Sequence, residues 1–262
     1  MRLKDFKYNI QMEERKTIYL CLAHMSETGE EQKYVKEAFD TNWVVPLGPN
    51  VNGFEDDLKA FVSKNSDGSE LSREVVALSA GTAAVHLGLL ASGVGPGDEV
   101  CVQSFTFCAS SHPITYLGAT PVFIDSEPDS WNMDPELLEM AIIDRKEKTG
   151  KYPKAIVPVA LYGMPYDCDK IMAIAEKYGI PVVEDAAEGC GSRWKGQVLG
   201  TFGKFGVLSF NGNKMITTSG GGALICQDAE SKNNVMWYAT QARDAYPYYQ
   251  HTAIGYNYRM SN

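Results

Sequence analysis

From residue 75 onward, short apolar runs alternate with longer stretches whose apolar residues recur at helical spacing. That alternation is the pattern of parallel strands joined by crossover helices. Residues 75–79 read as the first strand and 82–92 as the helix after it, ended by Gly93 and the Gly95-Pro96-Gly97 turn. The next strand covers 99–103, with a helix around 109–117 behind it. Strand 121–124, helix 135–148, strand 155–159 and helix 167–178 follow, the last with Asp167 as its N-cap, and 181–184 is another strand. Beyond it the helical period lapses. Two β-like runs, 206–210 and 222–225, predict a hairpin-like closure with at least one antiparallel strand. Upstream lie a helix around 30–39, the turn Pro46-Leu47-Gly48-Pro49, a helix around 54–63 and a polar loop over 65–72. The expected class is α/β, a mostly parallel central sheet with at least one antiparallel strand and helices on both faces. After a helix-like stretch over 229–241 the sequence reaches Asn262 without a closing element, so the chain is expected to stop short of one.

In an open parallel sheet, ligands sit beyond the carboxyl ends of the strands, so the residues just after each strand carry the candidate chemistry. Gly81-Thr82-Ala83 follows the first strand and opens a helix, offering backbone amides and a hydroxyl at the positive end of a helix dipole, where a phosphate binds. A glycine turn with a threonine cap is the plainer alternative. Phe105-Thr106-Phe107 follows the second strand and is suited to laying a ring over a flat cofactor, although aromatics in such positions also serve the core. Asp185 closes the run Val182-Val183-Glu184. An acid there is costly to bury without a partner, and a cationic ring nitrogen would be one; a helix cap for Ala186-Ala187 is the alternative. Ser209 can complete a phosphate cup, and Lys214, five residues on and just before Gly220 to Gly222, can reach an aldehyde carbon. Taken alone, a loop lysine is usually only solvated. Paired with Asp185, it suggests pyridoxal phosphate, whose aldehyde needs an amine and whose ring nitrogen needs an acid.

Composition narrows the alternatives. With 262 residues, 44% of them hydrophobic, the chain has the means to bury one substantial core. Its formal net charge of -9 argues against nucleic-acid binding, which relies on a basic surface. No apolar run approaches the length that spans a bilayer, and Met1-Arg2-Leu3-Lys4-Asp5 has no apolar signal core, so no membrane partner is expected and the cytoplasm is the default location. Cys21, Cys101, Cys108, Cys168, Cys190 and Cys226 show no paired spacing and read as small hydrophobes. The scattered histidines show no zinc-type spacing, and no metal site is expected.

Four separated motifs carry a resemblance. Ser79-Ala80-Gly81-Thr82-Ala83-Ala84, Glu184-Asp185-Ala186-Ala187-Glu188, Ser209-Phe210-Asn211-Gly212-Asn213-Lys214 with Thr217-Thr218-Ser219-Gly220-Gly221-Gly222, and Gly255-Tyr256-Asn257-Tyr258-Arg259-Met260-Ser261-Asn262 resemble, in order, those of the DegT/StrS family. The likeness runs from about Asn42-Trp43 to the last residue. These are sugar aminotransferases with the fold of type I pyridoxal phosphate enzymes. The resemblance implies that Lys214 holds pyridoxal 5'-phosphate covalently, that Asp185 partners the pyridine nitrogen and that Phe107 lies over the ring. Thr82, Ala83 and Ser209 would lie near its phosphate, Gly81 and Asn211 would also bind the cofactor, and Glu188 would lie near the ring hydroxyl, where members often carry glutamine or histidine. Asn257 would reach across a homodimer interface to the neighbour's phosphate, and Arg259 would meet substrate anions. The implied partners are an amino-acid donor, glutamate, and a nucleotide-linked 4-keto-6-deoxy sugar used in surface glycan synthesis. Residues 42–49 look like those of members acting on UDP-linked N-acetylated keto-sugars. A pyridoxal phosphate-binding protein without turnover is an alternative; the family's sugar dehydratases carry histidine in place of the lysine. The implied division is an N-terminal segment over 1–50, a cofactor-binding large domain over 51–228, and 229–262 as the start of a connection to a small C-terminal domain that is missing.

Overall fold

The computed structural model of the chain describes residues 25–262, and the expectations that touch the charged start and Cys21 lie outside the described residues. Two helices come first, α1 (Glu30–Asp40) and α2 (Pro49–Ser63). Strands and helices then alternate as the apolar pattern requires: β1 (Glu74–Leu78), α3 (Gly81–Ala91), β2 (Glu99–Gln103), α4 (His112–Tyr116), β3 (Thr120–Ile124), α5 (Pro135–Thr149), β4 (Ala155–Val157), α6 (Cys168–Tyr178) and β5 (Val183–Asp185). A small hairpin, β6 (Arg193–Trp194) and β7 (Gln197–Val198), precedes β8 (Phe205–Ser209), β9 (Gly222–Cys226) and α7 (Ala229–Ala239).

In space the ladders run β3-β2-β4 and β5-β8-β9-β1. Single parallel bridges, Ile156 to Val182 and Val159 to Asp185, join them at β4 and β5 into one sheet. In that sheet β9 is antiparallel to both neighbours, and the other ladders are parallel. The reversal follows from the connection: β8 leads to β9 through a loop that carries Lys214, without the crossover helix that a parallel pair needs.

Alternation along the strands fills two cores. Val100 and Val102 of β2 pack with Leu87 of α3, Ile114 of α4 and Val235 of α7. Cys101 between them packs on the other face with Leu58 of α2, Leu138 of α5 and Ile171 of α6. In β9, Leu224 joins the first set and Ile225 the second. Each fully buried Val, Leu or Ile contributes roughly 1.5–3 kcal/mol. Burial also pushes the Cys101 and Cys226 thiols up to about 12, as expected of cysteines acting as small hydrophobes. Among the described residues no helix is long and apolar enough to cross a membrane.

Three elements differ from the sequence expectation. The helix expected over 109–117 is a 3-10 turn (Cys108–Ser110) followed by α4, because Pro113 has no N–H to give and is tolerated only in a first turn. α2 begins at Pro49, five residues before the expected start at Phe54, for a reason far along the chain: the Asn262 side-chain oxygen accepts the Asn50 and Val51 amides at 2.8 and 3.2 Å. The end of the chain also packs back on the sheet. Tyr258 accepts the Ser79 amide at 2.8 Å, and Met260 donates to Ala77 at 3.3 Å, so residues 256–262 form a strap along β1.

Candidate active site

The carboxyl ends of β1, β2, β5 and β8 converge on a cavity of about 550 Å³. Its floor is the turn from β1 into α3. Ala80 is extended and no side chain caps the helix, so the amides of Gly81, Thr82 and Ala83 have no partner within the helix. Together with the helix dipole they make an anion cup. Close backbone packing shapes it: a Cβ at Gly81 would lie 3.0 Å from the Ser209 Cβ, and one at Gly222 would lie 2.4 Å from the Ala80 carbonyl carbon. Glycine at 81 therefore lets the Ser209 hydroxyl approach the same cup, and glycine at 222 keeps the turn against β9.

Asp185 ends β5 and is 5% exposed. Ser110 donates to its Oδ2 at 2.5 Å and the Ala187 amide to its Oδ1 at 3.2 Å. Burial pushes this carboxyl above its ordinary range; Ser110, the Ala187 amide and the Lys214 charge pull it back. Ser110 is itself bonded to Thr106, 2.8 Å away. Across the cavity, Lys214 is fixed from two sides. Its backbone amide donates to Asn211 at 2.9 Å, and its Nζ lies 3.1 Å from Glu188 Oε1, with only 16% of the side chain exposed. The second Glu188 oxygen accepts the Tyr162 amide at 2.7 Å, so Glu188 braces the lysine against the 3-10 turn Leu161–Gly163.

Of the residues singled out from the sequence, Gly81, Thr82, Phe107, Asp185, Glu188, Ser209, Asn211 and Lys214 all line this one cavity. Among them Phe107 is 72% exposed. Ala83 is buried and does not line the cavity, and its amide is one of the uncapped first-turn donors of α3. Asn257 and Arg259 are not brought to the cavity. The Asn257 oxygen accepts from Gln241 at 3.2 Å on the exposed side of the strap. The substrate-anion expectation for Arg259 meets a different arrangement: its guanidinium is buried in an ion pair with Glu55 and donates to the Ala77 carbonyl at 3.0 Å. A buried guanidinium requires such a partner. Sequence reasoning missed Ser110 and Tyr162. A serine preceding a Pro-containing helix is the one signal that pointed to Ser110, and nothing local marks Tyr162, whose position depends on a left-handed backbone at φ 53.

The donor set fits pyridoxal phosphate. It combines a largely buried amine, a helix N-terminus with uncapped amides beside the Thr82 and Ser209 hydroxyls, and a buried carboxyl whose raised proton affinity a cationic ring nitrogen would relieve.

Comparison with known proteins agrees. The model of the DegT/DnrJ/EryC1/StrS aminotransferase family matches residues 25–262. EpsN of Bacillus subtilis, which carries the name of a pyridoxal phosphate-dependent aminotransferase, is 49% identical over 94% of this chain and 61% of its own length. The GDP-perosamine synthase of Escherichia coli O157:H7 is 38% identical over 93% of this chain and 63% of its own. A DegT/DnrJ/EryC1/StrS aminotransferase structure from Brucella abortus superposes with a TM-score of 0.79 at 32% identity, covering 91% of this chain and 64% of that one. The chain thus spans about three fifths of the length of the curated relatives it matches. With the match running through every motif that lines the cavity, the chain belongs to the DegT/DnrJ/EryC1/StrS aminotransferase family.

Proposed function

We propose that the protein transfers an amino group from an amino acid, glutamate, to the keto carbon of a nucleotide-linked 4-keto-6-deoxy sugar, using pyridoxal phosphate, in the synthesis of a surface polysaccharide. The observation that carries this reading is that Lys214 and Asp185, 29 residues apart in sequence by their numbering, line one cavity floored by free helix amides. When bound, the cofactor supplies an aldehyde that accepts amines and a ring that takes up electrons from the carbon being deprotonated. Lys214 Nζ is the amine that fixes the aldehyde and, once free, the base that moves a proton at the donor's α-carbon. Glu188 orients that amine. Asp185 keeps a proton on the ring nitrogen, and the amides of Gly81 and Thr82 with the Ser209 hydroxyl hold the phosphate. The sugar-nucleotide substrate is supported by the relative named GDP-perosamine synthase. We assign Asn257 to the phosphate of a neighbouring subunit in a homodimer, a role consistent with its exposed place on the strap.

Borohydride reduction of the pyridoxal phosphate-loaded protein, followed by peptide mass analysis, is expected to place the adduct on Lys214. Glutamate should then bleach the visible absorbance of the unreduced protein, and a keto-sugar nucleotide should gain an amino group by product mass. An adduct on another lysine, or a cofactor spectrum that glutamate leaves unchanged, would overturn the assignment.

A further inference from the structure

The turn that forms the anion cup is gripped from behind. His86 lies one helical turn beyond Thr82 on the same side of α3 and is 3% exposed. Its Nδ1 is 3.2 Å from the Tyr258 hydroxyl. The rings of Tyr256, Tyr116 and Tyr258 meet it edge-on, with centroids 4.7, 5.6 and 5.9 Å away. Tyr256 and Tyr258 in turn stack on each other at 5.0 Å. The second ring nitrogen, Nε2, is buried and has no hydrogen-bond partner. Tyr258 also reaches the cup by another route, because its carbonyl accepts the amide of Ser79, which lines the cavity two residues before Gly81.

One strap residue therefore holds both arms of the β1–α3 turn: the helix through its hydroxyl and the strand end through its carbonyl. A leucine would fill the space of His86 without burying an unpaired nitrogen. What imidazole adds is a bond of fixed direction. Burial holds the ring below its ordinary range, and the titratable groups facing it are phenols, so it is neutral at physiological pH and the positive potential of the cup comes from the amides.

We propose that His86 and Tyr258 are a positioning pair that sets the spacing and direction of the cup amides for a phosphate dianion. The identity of that phosphate rests on the cofactor reading above; the clamp is a property of the unliganded chain. His86→Leu and Tyr258→Phe are each expected to raise hydrogen exchange of the two bonded amides of the turn, Ser79 and Ala84, about tenfold, the scale of one lost hydrogen bond. Each should weaken pyridoxal phosphate binding by about the same factor while leaving pyridoxal, which lacks the phosphate, within about twofold. The double variant should bind no more weakly than either single one, and His86→Gln, which retains a hydrogen-bonding group, should recover most of the loss. Unchanged exchange at Ser79 and Ala84, or equal loss of both ligands, overturns the proposal. A wild-type protein that binds neither ligand overturns the cofactor reading instead, and the exchange measurement then decides the clamp by itself.

Discussion

Glu184 and Asp185 are neighbours on β5, both buried, and they point to opposite faces of the sheet. Glu184 accepts three backbone amides, from Gly200, Phe202 and Gly203, at 3.0, 2.6 and 2.5 Å. Asp185 receives one hydroxyl and one amide and opens on the cavity. Burial raises the proton affinity of both. What separates them is how their acceptor capacity is filled. A carboxylate saturated by amides of one turn fixes that turn, here the segment whose Gly200 carbonyl would lie 1.9 Å from a Cβ at Gly206. A carboxylate left with spare capacity beside an amine is available to a ligand.

Replacing each acid by its amide isostere breaks the pair apart. Asp185→Asn is expected to lower aminotransfer about a thousandfold, since the group that stabilises developing charge is lost. Its urea midpoint should correspond to wild type within about 1 kcal/mol, because Ser110 still has a partner. Glu184→Gln should do the reverse. The amide nitrogen would face the Gly200 N–H or, in the flipped orientation, both the Phe202 and Gly203 N–H groups, and a loss of about 2–4 kcal/mol in urea unfolding is expected, with turnover per folded molecule within about twofold of wild type. Equal stability losses in the two variants would dissolve the distinction.

The pH dependence of stability sharpens the contrast further. With its folded pKa raised above 3.8, Asp185 binds more protons in the native than in the unfolded state between those values, so its contribution to stability declines as pH rises through that window. Glu184 acts in the same sense above 4.5. Subtracting the Asp185→Asn urea midpoints from those of the wild-type apoprotein isolates the first contribution, which should fall from pH 4 upward. A cationic ring nitrogen beside Asp185 favours the carboxylate, so the same difference measured with pyridoxal phosphate bound should flatten. Parallel curves in both states would remove Asp185 from the cofactor.

How far such roles are legible in a sequence depends on how local their partners are. The order of strands and helices, the Asp167 cap of α6 and the Gly81-Thr82 turn rest on neighbours within a few residues, and each is present in the structure. Asp185 was readable as an acid ending a buried run. The partner that holds it, Ser110, was not, because it sits 75 positions upstream in the 3-10 turn that precedes α4. Arg259 shows the same limit in reverse. Its motif places it two residues after Asn257, yet its charge is consumed by Glu55, a residue of α2 that no spacing rule connects to it.

Asn262 tests whether filled acceptor capacity marks a structural role outside the sheet as well. Its side-chain oxygen, like that of Glu184, is occupied by backbone amides, those of Asn50 and Val51, and its nitrogen donates to the Trp43 carbonyl at 3.1 Å. It serves as the N-terminal cap of α2 supplied from the other end of the chain, where Gly48 leaves no side chain in the way: a Cβ there would lie 2.4 Å from the Asn262 oxygen. Losing a cap typically costs about 1 kcal/mol. Asn262→Ala should therefore lower the urea midpoint by that amount and speed amide exchange in the first turn of α2, while binding of pyridoxal phosphate stays within about twofold, since none of its partners lines the cavity. A loss of cofactor affinity larger than the loss of stability would mean that the strap transmits strain to the cup, and saturation by backbone amides would then no longer separate scaffold from site.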